Sequence, residues 1–309
     1  MIKPKKLEKG DLVGLVTTSH PVSREIIDKS ARYLRSLGFK VRVSDHATDA
    51  YGFIAGKAED RANDLMAMFR DKEVKAIFTN GGGRTANHLL PLLDFGEIHQ
   101  HPKIFMGLSN PSIIANAITA KAGLITFHGP TGYNFGEVGI TAFTERQMIK
   151  TIIDGEMIGK IEAYQETEVL RQSPNTAKGR LYGGHLLTTR ALIGTPYAPN
   201  WRNVILFLED CFEELHDFDD NFMHFKLAGI LEKISGLVIG TPVEVEEKSY
   251  PSVESMKDIV KRICSDYDFP ILYGLNIGHT DDKVTLPIGA VAEIDSQNGI
   301  LEVNEAVVD

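Results

Sequence analysis

Ser109 ends the stretch Ile104-Phe-Met-Gly-Leu-Ser109, and Asn110-Pro111 then lead into an apolar segment with helical spacing. The pattern predicts a strand, a sharp turn and a helix, with the serine at the turn. Unpaired backbone N–H groups at a helix start favour an anion. A hydroxyl placed there resembles the G-x-S-x-G nucleophile elbow, from which this chain departs at Pro111. The same position also suits an ordinary helix N-cap. Glu209 closes the apolar run Val204-Ile-Leu-Phe-Leu208. An ionisable group there is either a solvated strand terminus or a carboxylate held against a core for use. His279 lies between Gly278 and Thr280 in a loop flanked by strands, and His20, His128 and His185 compete with it for the part of a base. A nucleophile–base–acid set is recognised by geometry, so spacing alone does not choose among them.

Gly81-Gly82-Gly83 directly follows the apolar run Ala76–Thr79. It matches neither the G-x-G-x-x-G fingerprint nor a Walker loop. It reads as a tight strand-to-helix turn, or as a source of backbone N–H groups for an oxyanion hole. His99-Gln-His101 and the group His216, Asp217, Asp219 and Asp220 lack a metal-ligand spacing, and a solvated acidic loop accounts better for the latter. No metal or other cofactor is expected. Cys211 and Cys264 lie far apart and make no metal pattern, which fits a reducing, cytoplasmic compartment.

The elements that would hold these residues alternate. Apolar runs at Leu12–Thr17, Phe39–Val43, Ala76–Thr79, Ile104–Gly107 and Leu124–Phe127 predict strands. Between them, helical spacing appears through Ile26–Leu37, over 58–71, over 85–93 with Pro91 inside, and after Ser109. Alternation of this kind implies a doubly wound parallel sheet, whose ligands gather beyond the strands' C-terminal ends. Residues 155–178 are polar with weak periodicity and read as a connecting stretch. Beyond them the chain is richer in strands, at 204–208, 236–240, 270–274, 284–287 and 290–294, with helices over 186–193, 218–233 and 253–267.

The totals bound the function. With 309 residues, 43% of them hydrophobic and 24% charged, the chain has enough apolar material for two globular domains. A formal net charge of −9 argues against broad nucleic-acid or anionic-membrane binding. No run approaches the ~18 apolar residues of a membrane span. The basic start meets Asp11 before any apolar stretch of signal-peptide length.

Three separated segments, taken together, resemble the LD-carboxypeptidase family of serine peptidases, which includes the microcin C self-immunity peptidases. They are Gly82-Gly83-x-x-Ala86-Asn87-x-Leu89-Leu90-Pro91-Leu92-Leu93-Asp94, then Gly107-x-Ser109, then the pair Leu206-Phe-Leu-Glu209-Asp210 and Gly278-His279-Thr280. Gly183-Gly184-x-Leu186, Gly194-Thr-Pro-Tyr197 and Leu286-Pro-Ile-Gly289 support them, and the match covers nearly the whole chain. The resemblance implies an N-terminal Rossmann-like domain over 1–155 carrying the nucleophile and a connecting stretch over 156–178. It implies a C-terminal β-rich, swivelling and barrel-like domain over 179–309 carrying the rest of a Ser–His–Glu triad. Ser109 would be the nucleophile, His279 the general base and then acid, and Glu209 the group orienting the imidazole. The Asn110 N–H and an N–H of Gly82 or Gly83 would form the oxyanion hole. Asn110 replaces the family's usual Asp, and His185 stands where Asn is common. Arg84 is read as either a carboxylate-binding or a surface residue, and Arg84 and His185 are the candidate substrate contacts. The implied protein is a cytoplasmic homodimer that needs neither nucleic acid nor membrane. Its substrate would be a small peptide, a muropeptide whose L,D-bond to a terminal D-alanine is cut. The alternatives are hydrolysis of a peptidyl- or aminoacyl-nucleotide antibiotic, and a non-catalytic small-molecule binding protein. Tryptophans that would stack a nucleotide base are missing from 155–178, where Tyr164 is the one aromatic; the single tryptophan is Trp201.

Overall fold

The computed structural model describes residues 1–161, 167–251 and 253–309; Tyr164 lies outside the described residues. The first half alternates as the apolar runs demand. β1 (Leu12–Val16) leads to α1 (Arg24–Ser36), β2 (Lys40–Val43), α2 (Ala58–Arg70) and β3 (Val74–Thr79). After β3 come α3 (Phe95–Gln100), β4 (Ile104–Gly107), α4 (Ser112–Ala122), β5 (Thr126–His128) and α5 (Ala142–Ile149). Local chemistry sets the boundaries. Ser23 caps α1 by accepting from the Ile26 N–H, and the chain leaves that helix through Gly38 at φ 96°, a left-handed turn that glycine makes without strain. The segment 86–92 expected as an ordinary helix is a 3₁₀ helix, because Pro91 removes a donor from it.

The second half supplies β6 (Gly159–Lys160), β7 (Glu168–Arg171), β8 (Ala177–His185), α6 (Leu186–Arg190), β9 (Val204–Glu209) and α7 (Leu215–Leu227). It ends with β10 (Gly236–Gly240), α8 (Met256–Ile263), β11 (Ile271–Leu275), β12 (Leu286–Ile288), β13 (Val291–Asp295) and β14 (Ile300–Val303). The two halves make a mixed α/β architecture of two sheets. One runs in the order β12-β5-β4-β3-β1-β2, parallel except for β12. The other runs β6-β14-β13-β8-β9-β10-β11-β7, with β8 to β11 parallel and antiparallel strands on both flanks. Among the described residues this second sheet forms no closed barrel.

Two features depart from the linear reading. The stretch 155–178 does more than connect, since it places β6 and β7 on opposite edges of the second sheet. β12, although late in the chain, leaves its neighbours and pairs with β5 of the first sheet. Helix α4 is the hinge of the packing. Its residues Ile113, Ile114, Ala115, Ala117 and Ile118 are all buried, and Ser112, Asn116 and Thr119 are buried with them, so the helix is covered on every side up to Thr119. It packs on β4 and β5 of its own sheet and on β8 of the other. Gly184 lets it approach: a Cβ there would lie 2.8 Å from the Cβ of Ser112. The C-terminal ends of both parallel sets therefore open on one region.

Candidate active site

The first sheet reverses its winding between β1 and β3, and ligands of such sheets bind in the crevice beyond that switch. The loop after β1 carries His20, and the loop after β3 carries Gly81–Gly83. They are tied together by the His20 N–H, which donates to the Gly82 carbonyl at 3.2 Å. Ser109 follows β4 next door, at φ 64°, a left-handed conformation that strains any residue but glycine and recurs at functional turns. The capping alternative fails. Pro111 occupies the N-cap of α4, no side chain caps its first turn, and the Ser109 carbonyl already accepts from the Ser112 N–H at 2.9 Å.

The Asn110 side chain accepts where an Asp carboxylate oxygen could also accept. Its Oδ1 accepts from the Ser19 hydroxyl at 3.0 Å and from the Ala86 N–H at 2.8 Å, binding together the loops after β1, β3 and β4. Among the described residues, the N–H groups of Gly82, Gly83 and Asn110 have no protein acceptor. The Gly82 backbone faces the serine directly: a Cβ there would stand 2.8 Å from Ser109 Oγ and 3.8 Å from the Asn110 nitrogen. A Cβ on Gly83 would instead run into the His20 ring at 2.2 Å.

Glu209 ends β9 and is buried, and the loop beyond β11 delivers His279 to it. His279 Nδ1 pairs with Glu209 Oε2 at 2.7 Å. That bond occupies one ring nitrogen and leaves Nε2 for a reacting proton. The loop is held from outside by α5, where the Thr144 hydroxyl accepts from the Lys283 N–H at 2.9 Å. It is held from within by Asn276 Nδ2, which donates to the Asp282 carbonyl at 2.9 Å. Gly278, at φ 98°, passes so close that a Cβ would fall 2.3 Å from Glu209 Oε2. Burial by itself would push the Glu209 carboxyl up. The His279 and His128 rings outweigh it and hold the group well below the ordinary carboxylate range.

Beside this pair lies one that sequence reasoning did not single out. His185 Nε2 is 3.3 Å from Asp210 Oδ1, and the His185 ring stands edge-on to His279 with centroids 5.7 Å apart. Burial, then the neighbouring Glu209 charge, pushes Asp210 up to about 8, and burial lowers His185, so both shifts favour the neutral forms. Glu209, Cys211 and His279 bring ligand-type atoms within 4.8 Å of one another. His279 Nδ1 is already spent on Glu209, and burial pushes the Cys211 thiol up, away from the thiolate a metal would need. The acidic group at 216–220 is an ion-paired surface: His216 Nδ1 pairs with Glu247 at 2.9 Å and Asp219 with Arg262 at 2.6 Å.

Two cavities meet at Ser109. One, of about 410 Å³, is lined by Arg84, His185, Arg190 and Glu213. The other, of about 330 Å³, is lined by His20, Gly82, Tyr133 and His279. Ser109 lines both, and so does Gly83. The geometry thus joins a half-buried hydroxyl, unpaired backbone donors and a carboxylate-oriented imidazole around one cleft, the parts of acyl-transfer chemistry.

The LD-carboxypeptidase N-terminal domain matches residues 13–129, and the LD-carboxypeptidase C-terminal domain matches residues 178–294. The chain belongs to the LD-carboxypeptidase family and is a serine-type carboxypeptidase. It is 32% identical to the "Probable murein peptide carboxypeptidase" of Bacillus subtilis (strain 168), over 95% of this chain and 92% of that one. It is 26% identical to the microcin C7 self-immunity protein MccF of Escherichia coli, over 97% of this chain and 94% of that one. The crystal structure of muramoyltetrapeptide carboxypeptidase from Oxalobacter formigenes matches with a TM-score of 0.80 at 25% identity, covering 94% of this chain and 97% of that one.

Proposed function

We propose that Ser109, His279 and Glu209 form a catalytic triad that cuts the L,D-bond before a terminal D-alanine in murein tetrapeptides, as a step of cell-wall recycling. The observation that carries the mechanism is the 2.7 Å bond between His279 and buried Glu209, in a loop whose histidine shares a cavity with strained Ser109. Ser109 Oγ attacks the carbonyl carbon while His279 Nε2 takes its proton. The oxyanion is received by the Asn110 N–H and an N–H of Gly82 or Gly83. His279 returns the proton to the departing amine, and water, activated by the same imidazole, releases the acyl group from Ser109. Glu209 keeps Nδ1 protonated and the ring turned toward the serine. Arg84, exposed at the mouth of the larger cavity, offers a fork for the free carboxylate of the peptide end. Residues 1–155 supply the nucleophile and 179–309 the other two members of the triad.

The likeness to murein peptide carboxypeptidases supports the peptide substrate. The likeness to MccF supports hydrolysis of a nucleotide-linked peptide as the second reading. Trp201 gives that reading no help, because it is buried against Phe225 and cannot stack on a base. The family resemblance supports a cytoplasmic homodimer, and two free, buried cysteines suit a reducing compartment. Among the described residues no helix is long and apolar enough to cross a membrane.

The test is incubation with a murein tetrapeptide and with a peptidyl-nucleotide, products being resolved by mass. Release of D-alanine by the wild type and its loss in Ser109→Ala is the expected result. Release that survives Ser109→Ala would refute the nucleophile. Binding without turnover of either compound would make the chain a binding protein. Inhibition by a chelator would overturn the metal-free mechanism.

A further inference from the structure

His128 is one of the most deeply buried polar residues of the chain, and the triad does not use it. It ends β5 and lies in register with Gly107, two residues before Ser109, on one side and with Leu286 of β12 on the other. Its ring stands edge-on to Phe207 of β9, with centroids 5.4 Å apart, so its plane is set by packing. Nε2 points across the gap between the sheets at Glu209 Oε1, 3.7 Å away. Among the described residues, neither nitrogen of His128 nor Glu209 Oε1 has a hydrogen-bond partner. The Glu209 carboxylate is therefore used unequally: Oε2 is bonded to His279, and Oε1 faces His128. A buried carboxylate oxygen without a donor is costly, and catalytic hydrogen bonds that are long in the free enzyme often tighten with substrate bound.

We infer that His128 is a positioning residue that directs an Nε2–H at Glu209 Oε1 and through that carboxylate sets the orientation of His279. The inference rests on the triad proposed above. It gives a reason for the contact between the two sheets. Ser109 rides on the first sheet and Glu209 on the second, and His128 is a first-sheet residue aimed at the second sheet's carboxylate. A bond there ties the nucleophile's strands to the base's strands in one register. The groups facing Glu209 from the elements around it are His279, His185, Asp210, Cys211 and Lys283. Of these, His185 is engaged with Asp210, so it does not compete for Oε1. His128 also helps to keep the Glu209 carboxyl ionised, which gives the contact a signature in pH.

The experiment compares His128→Gln, which carries an amide N–H near the place of Nε2, with His128→Asn, whose shorter amide stops short of it, and His128→Leu, which has no donor. Activity is followed as kcat and KM for D-alanine release across pH, with thermal melting as a check on folding. His128→Leu and His128→Asn are expected to lose roughly 10–100-fold in kcat with KM within about twofold, the range for outer residues that orient a reactive group. The acid limb of kcat/KM should move to higher pH, because the coupled Glu209–His279 pair holds a proton more readily once the carboxylate has lost the donor. His128→Gln should recover most of kcat and the position of that limb. Equal activity in the Gln and Asn variants, or an unmoved acid limb in both donor-poor variants, overturns the inference. If His128→Leu does not fold, the Gln–Asn comparison alone decides. Activity that survives Ser109→Ala would instead bring down the triad itself, a distinct outcome.

Discussion

Asn116, in the middle of apolar α4, grips Gly183 of β8 by both halves of its amide: Nδ2 donates to the Gly183 carbonyl at 2.7 Å, and Oδ1 accepts from the Gly183 N–H at 3.1 Å. The helix that follows the nucleophile is thereby fastened to the sheet that carries Glu209. Because both groups of Gly183 are buried, Asn116→Leu strands a donor and an acceptor together. It should cost about 2–4 kcal/mol, measured as a lower urea midpoint. A midpoint equal to wild type would show that the two sheets are held by apolar packing alone.

Gly82 is predicted to be intolerant of a methyl group for a local reason. Its Cβ would lie 2.7 Å from Ser109 Cβ, whereas a Cβ on Gly81 would meet Val22 at 3.4 Å and Tyr133 at 3.8 Å, both ordinary contacts. Gly82→Ala should lower kcat/KM by roughly 100-fold or more, the scale of a disturbed oxyanion site. Gly81→Ala should keep most of the activity. Comparable losses in both would show that the loop, rather than the approach to Ser109, is what matters.

The ends of apolar runs were the legible part of the site. Ser109 and Glu209 sit where strands stop, and a change from apolar to polar residues marks that boundary in any sequence. The histidines were not separable, and the structure shows why: all four rivals converge. His279 bonds Glu209, His128 faces the same carboxylate, His185 stands against His279, and His20 lies over Gly83. No spacing rule divides residues that share one place. Asp210 left no separate signal, since it adjoins Glu209 and its pairing with His185 is made by two parallel strands in register. Asn116 was findable as the one polar amide among Ile113–Ile118. The return of β12 to the first sheet depends on a long-range pairing that no local pattern encodes.

The strain at Ser109 separates stability from function. At φ 64° a residue with a Cβ costs about 1 kcal/mol that glycine avoids. Ser109→Gly should therefore melt roughly 2 °C higher than wild type while releasing no D-alanine. An unchanged or lower melting point would mean that contacts of the hydroxyl offset the strain.

Arg84 discriminates between a surface charge and a substrate clamp. It lies beside the larger cavity and close enough to His20, His185 and Glu213 to influence their protonation. If it holds the peptide carboxylate, Arg84→Ala should raise KM by about 10-fold or more with a smaller fall in kcat, and Arg84→Lys should recover part of the loss because it keeps the charge without the fork. Substrates amidated at the terminal carboxylate should respond little to either change. Equal KM values for Arg84→Ala and wild type would return the residue to the surface.

Asp210 gives a pH dependence of stability whose sign is fixed by its surroundings. Burial, with Glu209 adjacent, raises its carboxyl to about 8 in the folded chain, against about 4 in an unfolded one. Below pH 4 both states hold the proton and Asp210 has no effect. Between about pH 4 and 8 the unfolded chain releases the proton while the folded chain keeps it, so this residue makes the protein progressively less stable as pH rises. Above about 8 the difference levels off. Asp210→Asn copies the protonated shape, and its Oδ1 can accept both from the Cys211 N–H, as Asp210 Oδ1 does at 3.1 Å, and from an N–H at His185 Nε2. Melting curves should therefore coincide for the two proteins near pH 4, and the variant should gain over wild type steadily up to pH 8. A gain that is constant across this range would show that Asp210 is ionised in the folded chain and that its pairing with His185 is ionic.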